Sequence, residues 1–285
     1  MAAIAPRAGS HPVKHARRKD TVEQQLAPLR PAHPPHVVSG SSSCASGTLV
    51  GVGRSGETGE PVKTLTASAR RRITADWLEQ FPGLGEYKPL HLLRRVGPLL
   101  EGIVLERTSG NDVYRPTFHV HSLLREFPVV TMALAHRLQS DRSGGPDAVP
   151  VVHHESKYVE AARRLARQCP LALSGELRLS DVLEAYRRFA GRPGTHFDAN
   201  HLYEDMATLC GWFGDSKKAS QIIAEGFSRL GQWPPDILGQ IGGREAWRDK
   251  ITAVVADQSR LLNLVVVQVR SFGAEAVPVS DMVFG

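Results

Sequence analysis

Apolar and polar residues follow two different rhythms along this chain, and one long stretch has no rhythm at all. Over residues 113–123, Tyr114, Pro116, Phe118 and Val120 alternate with Arg115, Thr117, His119 and His121. A period of two predicts a strand with one apolar face and one solvated polar face. Residues 99–107 read as its partner strand, joined through a turn-rich loop at 108–112. Pro116 has no amide proton to give to a ladder, which predicts an edge strand. A further apolar run, 129–138, follows Pro128 and would complete a meander. Upstream, Ser68 is the expected cap of a helix carrying Ile73, Trp77, Leu78 and Phe81, stopped by Pro82 and Gly83. Residues 89–96 carry a second, shorter helical spacing.

From about residue 153 the spacing becomes that of helices. Tyr158, Ala161, Ala162, Leu165 and Cys169 form a stripe ended by Pro170. Ser180 is the expected cap of the next helix, with Val182, Leu183, Tyr186 and Phe189 facing inward and Gly191 beyond its end. Leu202, Met206, Leu209 and Phe213 mark a third helix, and Ala219, Ile222, Ile223, Phe227 and Leu230 a fourth. Trp247, Ile251, Val254 and Val255 mark another. The β-branched run Val265–Val266–Val267 predicts a strand or a broken helix over 261–272. Residues 139–150 form a polar loop that would separate the sheet from the helices.

Residues 1–66 follow neither rhythm. They are rich in Pro, Ser and Gly, and no aromatic residue precedes Trp77. Such a composition cannot offset the entropy of ordering and predicts a disordered tail. Residues 1–72 hold 11 Lys and Arg against 4 Asp and Glu, and the remaining residues hold 24 against 25. The net charge of +6 therefore belongs to the N-terminal stretch, which argues against a basic DNA-binding body. Nucleic acid would at most be met weakly, through residues 1–72, by groups such as Arg17, Arg18 and Lys19 or Arg70, Arg71 and Arg72. No apolar run reaches the length of a membrane span, so no membrane partner is expected. Three unpaired cysteines, Cys44, Cys169 and Cys210, suggest a reducing, cytoplasmic setting.

In the third and fourth helices, Tyr203, Met206, Ala207 and Cys210 precede a Gly214–Asp215 turn, followed by Ala219, Ile223, Gly226 and Phe227. This stretch resembles a tetratricopeptide helical hairpin, in which a small residue lets two antiparallel helices touch. Gly231 stands where that pattern has a closing proline, and no second copy follows. The resemblance covers about 30 residues and implies a protein- or peptide-binding surface.

Candidate chemistry is sparse. His119 and His121, two apart on a strand, point the same way and could hold one metal ion, with His136, His153, His154, Glu126 or Glu155 as further ligands or base. The alternative is that they belong to a solvated sheet face. The glycines of 51–56 match a dinucleotide-loop spacing without the strand and helix that would give it meaning. Glu204–Asp205 and Lys217–Lys218 read as solvated charges.

The chain therefore reads as α+β: a tail (1–66), a small antiparallel meander with flanking helices (67–140), and an irregular, mostly antiparallel helical domain with one tetratricopeptide-like hairpin (151–285). The expected function is non-catalytic, an adaptor or inhibitor that binds another protein through Tyr203, Trp212, Lys217, Lys218 and Trp233, with no cofactor. The alternatives are a His-dependent metal hydrolase centred on His119 and His121, and nucleic-acid association through the tail.

Overall fold

Helix α1 (Ala67–Gln80) begins where the Thr66 hydroxyl accepts the Ala69 amide, so Thr66 and not Ser68 is the cap. A computed structural model describes residues 65–192 and 199–284. The readings of the tail, including Cys44 and the glycines of 51–56, lie outside those residues. The described residues belong to one compact unit.

After α1 come β1 (Gly85–Lys88), β2 (His91–Val96), β3 (Leu99–Arg107), β4 (Val113–Ser122) and β5 (Ala133–Arg137), paired antiparallel in that order. The expected helix over 89–96 is strand β2. Its burial explains the misreading: Leu92 and Leu93 point to opposite faces and both are buried, so the apolar positions do not alternate. The expected β3–β4 hairpin forms over 99–122, and β5 supplies the third strand of the meander.

Pro116 is not at an edge, because β4 lies between β3 and a discontinuous neighbour. Strand β6 (Val149–Pro150) pairs with Val113 and Tyr114, and β5 pairs with β4 from Thr117 onward. Pro116 falls in the step between them, where its carbonyl accepts the Leu138 amide at 2.9 Å. A missing amide proton costs little at such a break.

The half-solvated sheet is the larger correction. From Pro116 to Ser122 every residue of β4 is buried, including His119 and His121. One face carries Tyr114, Phe118, Ile103 and Leu92, and it is covered by α1 and by α2 (His154–Gln168). Here Tyr114 and His154 bond through Oη and Nδ1 at 2.8 Å, Trp77 Nε1 donates to the same hydroxyl at 3.1 Å, and His154 Nε2 meets Asp76 at 2.8 Å. This chain locks α1, β4 and α2 together with each of its buried polar atoms partnered.

The same face holds a buried ion pair. Arg94 on β2 lies opposite Glu101 on β3, and its Nε donates to Glu101 Oε1 at 2.7 Å. The rest of the guanidinium donates to the carbonyls of Gly175 and Ala172, each at 2.6 Å, and to the Ser280 hydroxyl. Ser280 belongs to β8 (Val279–Ser280), which joins β2 in parallel. Strands β7 (Leu177–Arg178) and β9 (Met282–Val283) pair in parallel beside it. The C-terminal strand thus lies at 279–283 and not at 261–272.

After β7 come α3 (Leu179–Ala190), α4 (Ala199–Trp212), α5 (Ser216–Leu230), the short α6 (Pro235–Gln240) and α7 (Arg244–Ala256). The chain leads into α3 through Arg178, and Ser180 lies inside the helix. The α4–α5 hairpin turns at Gly214, whose φ of +79° suits glycine, and Asp215 caps α5 by accepting the Lys218 amide. Ala219 is fully buried beside the turn. At Gly226 a Cβ would stand 2.7 Å from Trp247 and 2.9 Å from Tyr203, so only glycine admits that α4–α5–α7 contact.

Residues 258–272 form helix α8 (Gln258–Phe272), against the expected strand or broken helix. Asp257 caps its start by accepting the Arg260 amide, and Gly273 ends it with φ of +64°. The β-branched run is tolerated because Leu261, Val265 and Gln268, at helical spacing, are buried. Sheet and helices share one hydrophobic core.

Arg94→Ala should lower unfolding stability by about 3–5 kcal/mol, because it strands Glu101 without a partner. The double variant Arg94→Leu/Glu101→Leu should recover much of that loss. Chemical denaturation of the three proteins measures both.

Candidate functional site

The second face of the sheet carries His91, His119 and His121 beside Leu93 and Leu100. In the ladder Gly102 lies opposite His119, so no side chain stands on β3 at that point. The rings of His91 and His119 meet across it, with their Nε2 atoms 2.8 Å apart. His121 turns its Nδ1 to the amide and hydroxyl of Thr131, at 3.0 and 2.9 Å, and packs edge-on against Phe272 of α8. The end of α8 and the segment around Thr131 thus cover the face expected to be solvated.

Burial depresses the basicity of these rings. His91 and His121 are lowered to about 4 and His119 to about 3, chiefly by loss of solvent, with Lys88, Arg125 and the neighbouring imidazoles adding to the effect. The neutral rings can share a hydrogen bond, one donating and one accepting. His119 Nδ1 and His121 Nε2 have no hydrogen-bond partner. The other groups expected to complete a metal site lie elsewhere. His136 stands beside Gln168 and Phe189, His154 is bound to Tyr114 and Asp76, and Glu155 pairs with Arg72. Among the described residues no group of three or more His, Cys, Asp or Glu is arranged to hold a metal ion.

Of the residues expected to form a partner surface, Trp212, Lys217 and Lys218 lie at the α4–α5 turn, and Tyr203 and Trp233 lie toward the other end of the hairpin. Lys217 and Lys218 sit in the first turn of α5, and Trp233 follows its last, with about 20 Å of helix between them at 1.5 Å per residue. Trp233 is buried, Tyr203 is held against Gly226, and Trp212 packs beside Gly97 at the β2–β3 turn.

A cavity of about 240 Å³ opens elsewhere, between the turn after β4 and helices α4, α7 and α8. It is lined by Arg125, Glu126, Glu204, Asp205, Lys250 and Arg260, and by apolar side chains including Leu124, Ile251, Val254 and Leu264. Glu204 and Asp205, expected to be solvated, have side chains only 12% and 2% exposed. Trp247 Nε1 donates to Glu204 at 2.9 Å, and the Tyr186 hydroxyl donates to Asp205 Oδ2 at 3.4 Å. Arg125 faces both carboxylates from 3.6 and 3.8 Å, close enough for charge attraction but too far for a hydrogen bond. Asp205 Oδ1 and Arg125 Nε and Nη1 consequently have no hydrogen-bond partner.

These surroundings drive the two carboxyls apart. Burial pushes Asp205 up to about 6 despite Arg125, while His201, Arg125 and Lys250 together hold Glu204 below the usual carboxylate range against its own burial. A proton acceptor tuned toward neutrality beside a permanent anion is the kind of pair found at binding and reaction sites. One signal of it was present in the sequence. Asp205 lies three residues after Leu202 and four before Leu209, inside the apolar stripe of α4, where a solvated aspartate does not belong.

Along the outside of α8, Leu262, Val266 and Val267 are about half exposed, as are Val129 and Met132 of the neighbouring segment. A groove lined by Glu126, Phe127, Pro128, Leu264, Val267 and Gln268 lies between α8 and that segment. No family model matches the chain, and neither a curated protein nor a solved structure matches it.

Two pH responses follow. The histidines bind protons more weakly folded than unfolded, so the stability they contribute is present above about pH 6.5 and is lost as pH falls toward 4. Unfolding near pH 5 should therefore take up protons, and His119→Asn should reduce the uptake by close to one, as read from the pH dependence of the unfolding free energy. Asp205 has the opposite sign. Its folded pKa of about 6 lies above its unfolded value of 3.8, so stability is lost as pH rises between them. The stability of Asp205→Asn relative to the parent should rise over that interval by up to ~3 kcal/mol, measured by paired denaturant titrations.

Proposed function

We propose that this protein is a non-catalytic binding protein that captures another protein on the outer face of α8 and the adjoining segment 127–132. The observation that carries this reading is the exposed apolar row itself. Val129, Met132, Leu262, Val266 and Val267 stand 46–60% exposed, and Val267 lines a groove with Phe127, Pro128 and Leu264 on the side of α8 that adjoins segment 127–132. Exposed apolar surface flanking a groove marks interaction sites. α8 carries Arg260 and Arg270 and no acidic residue, and Lys250 stands near its start; against these three cations stand Glu126 on the groove and Asp257 at the cap of the helix. The partner surface is accordingly apolar with an acidic rim, an arrangement that speeds encounter and fixes orientation. Among the described residues no helix is long and apolar enough to cross a membrane. Cys169 and Cys210 are free thiols, and burial raises both well above the usual thiol range, which fits inert cysteines in a reducing cytoplasm.

A photo-crosslinking side chain placed at Val266 should give one defined protein product in the native host, absent when the same group replaces exposed Val152. Leu262→Glu should abolish the product while shifting stability by no more than about 0.5 kcal/mol, because the side chain is half exposed. Identical products from both positions, or a product consisting only of a second copy of this chain, would overturn the reading.

A further inference from the structure

The cavity beneath α8 shares Glu126 and Leu264 with the groove and extends from there to Glu204 and Asp205. Its charged lining is balanced: Arg125, Lys250 and Arg260 against Glu126, Glu204 and Asp205. The two signs are not mixed evenly. Glu204 and Asp205 lie next to one another on α4, whereas Lys250 and Arg260 stand exposed on α7 and α8. His201, exposed and 3.4 Å from Glu204, is the remaining titratable group beside the carboxylates, together with the buried Tyr186 hydroxyl on Asp205.

The inner end is short of donors. Asp205 is 2% exposed, yet its Oδ1 accepts no hydrogen bond, and the closest cation, Arg125 Nε, is 3.8 Å away. A buried carboxylate oxygen left in this way is costly. One ammonium group placed between Asp205 and Glu204 would supply the missing donor and offset the second negative charge, since a single guanidinium faces two carboxylates. At the rim, the two exposed cations suit a carboxylate. Between these ends the wall is apolar, with Leu124, Ile251, Val254 and Leu264. A volume of about 240 Å³ corresponds to roughly eight waters at ~30 Å³ each. That is the size of a small metabolite and less than a drug-sized pocket requires.

We propose that this cavity binds a free α-amino acid with an aliphatic side chain, its ammonium group on Glu204 and Asp205, its carboxylate toward Arg260 and Lys250, and its side chain against the α7–α8 wall. Such a ligand is neutral overall, as the charged lining is. It would clamp α4 to α7 and α8, and so steady the helix whose other side is exposed.

Calorimetric titration and thermal unfolding of the full chain would test this with L-leucine, leucinamide and 4-methylpentanoate. Leucinamide keeps the ammonium but lacks the carboxylate, and 4-methylpentanoate is the reverse. Leucine should bind and raise the unfolding temperature, and each analogue should bind at least about tenfold more weakly, the worth of one charged hydrogen bond. Asp205→Asn, close in shape, should weaken leucine by a similar factor. Arg260→Ala, at an exposed position, should also weaken leucine but leave leucinamide unchanged, which keeps the test decisive if Asp205→Asn does not fold. Absence of leucine binding up to ~10 mM would overturn the proposal. So would equal binding of leucine and leucinamide, which would point to a peptide N-terminus instead. These outcomes are independent of crosslinking at Val266.

Discussion

A single guanidinium gathers three separate parts of this chain. Arg94 is fully buried on β2, and its donors reach Glu101 on the next strand, the carbonyls of Ala172 and Gly175 before β7, and Ser280 of the C-terminal strand. A charge taken out of water is tolerable only with such a complete set of partners. The cost of separating them is what makes the arrangement specific. The loop after α2 and strand β8 are pinned to β2 through these bonds, while Glu101 Oε2 keeps no hydrogen-bond partner. Burial pushes the Glu101 carboxyl up, to about 7, and Arg94 opposes that shift. The pair is a constraint on geometry more than a source of net stability.

Once the C-terminal strand is held at β2, α8 must cross the sheet's other face to reach it. This places Phe272 on His121 and brings segment 129–131 over the same face. The histidines are then neutral core residues, joined to one another where Gly102 clears the way. The inner side of α8 is used up in this packing and in closing the cavity with Leu261 and Leu264. Its outer side keeps Leu262, Val266 and Val267 exposed to solvent. Covering the sheet and presenting an apolar face are therefore two consequences of one helix placement.

The candidate site was only partly legible in the sequence. The period of two placed His119 and His121 together on one face of β4, and they are there. It could not say whether that face was wet, because part of the cover, Phe272 of α8, comes from about 150 positions later. Glu204 and Asp205 were read as solvated charges for a similar reason. Their burial depends on Arg125, Trp247 and Tyr186, which lie on three other pieces of chain. Tyr203, Trp212 and Trp233 are large and aromatic whether they pack or bind; Trp233 is buried, and Tyr203 and Trp212 are partly buried against the core.

What the sequence determined by itself was local and periodic. The β3–β4 hairpin, the helical stripes of α2 to α5, the Gly214 turn with its Asp215 cap, and the α+β class all follow from the spacing of apolar residues and from turn chemistry, which act within a few positions. The tertiary structure decided what spacing cannot encode. It made residues 91–96 a strand because both their faces are buried, and residues 258–272 a helix because a neighbour buries one stripe of a β-branched run. It also joined Arg125 to Glu204 and Asp205 in one cavity. Burial on a second face, and the meeting of charges from distant segments, are properties of the assembled core, where long-range contacts outweigh the preferences of any single segment.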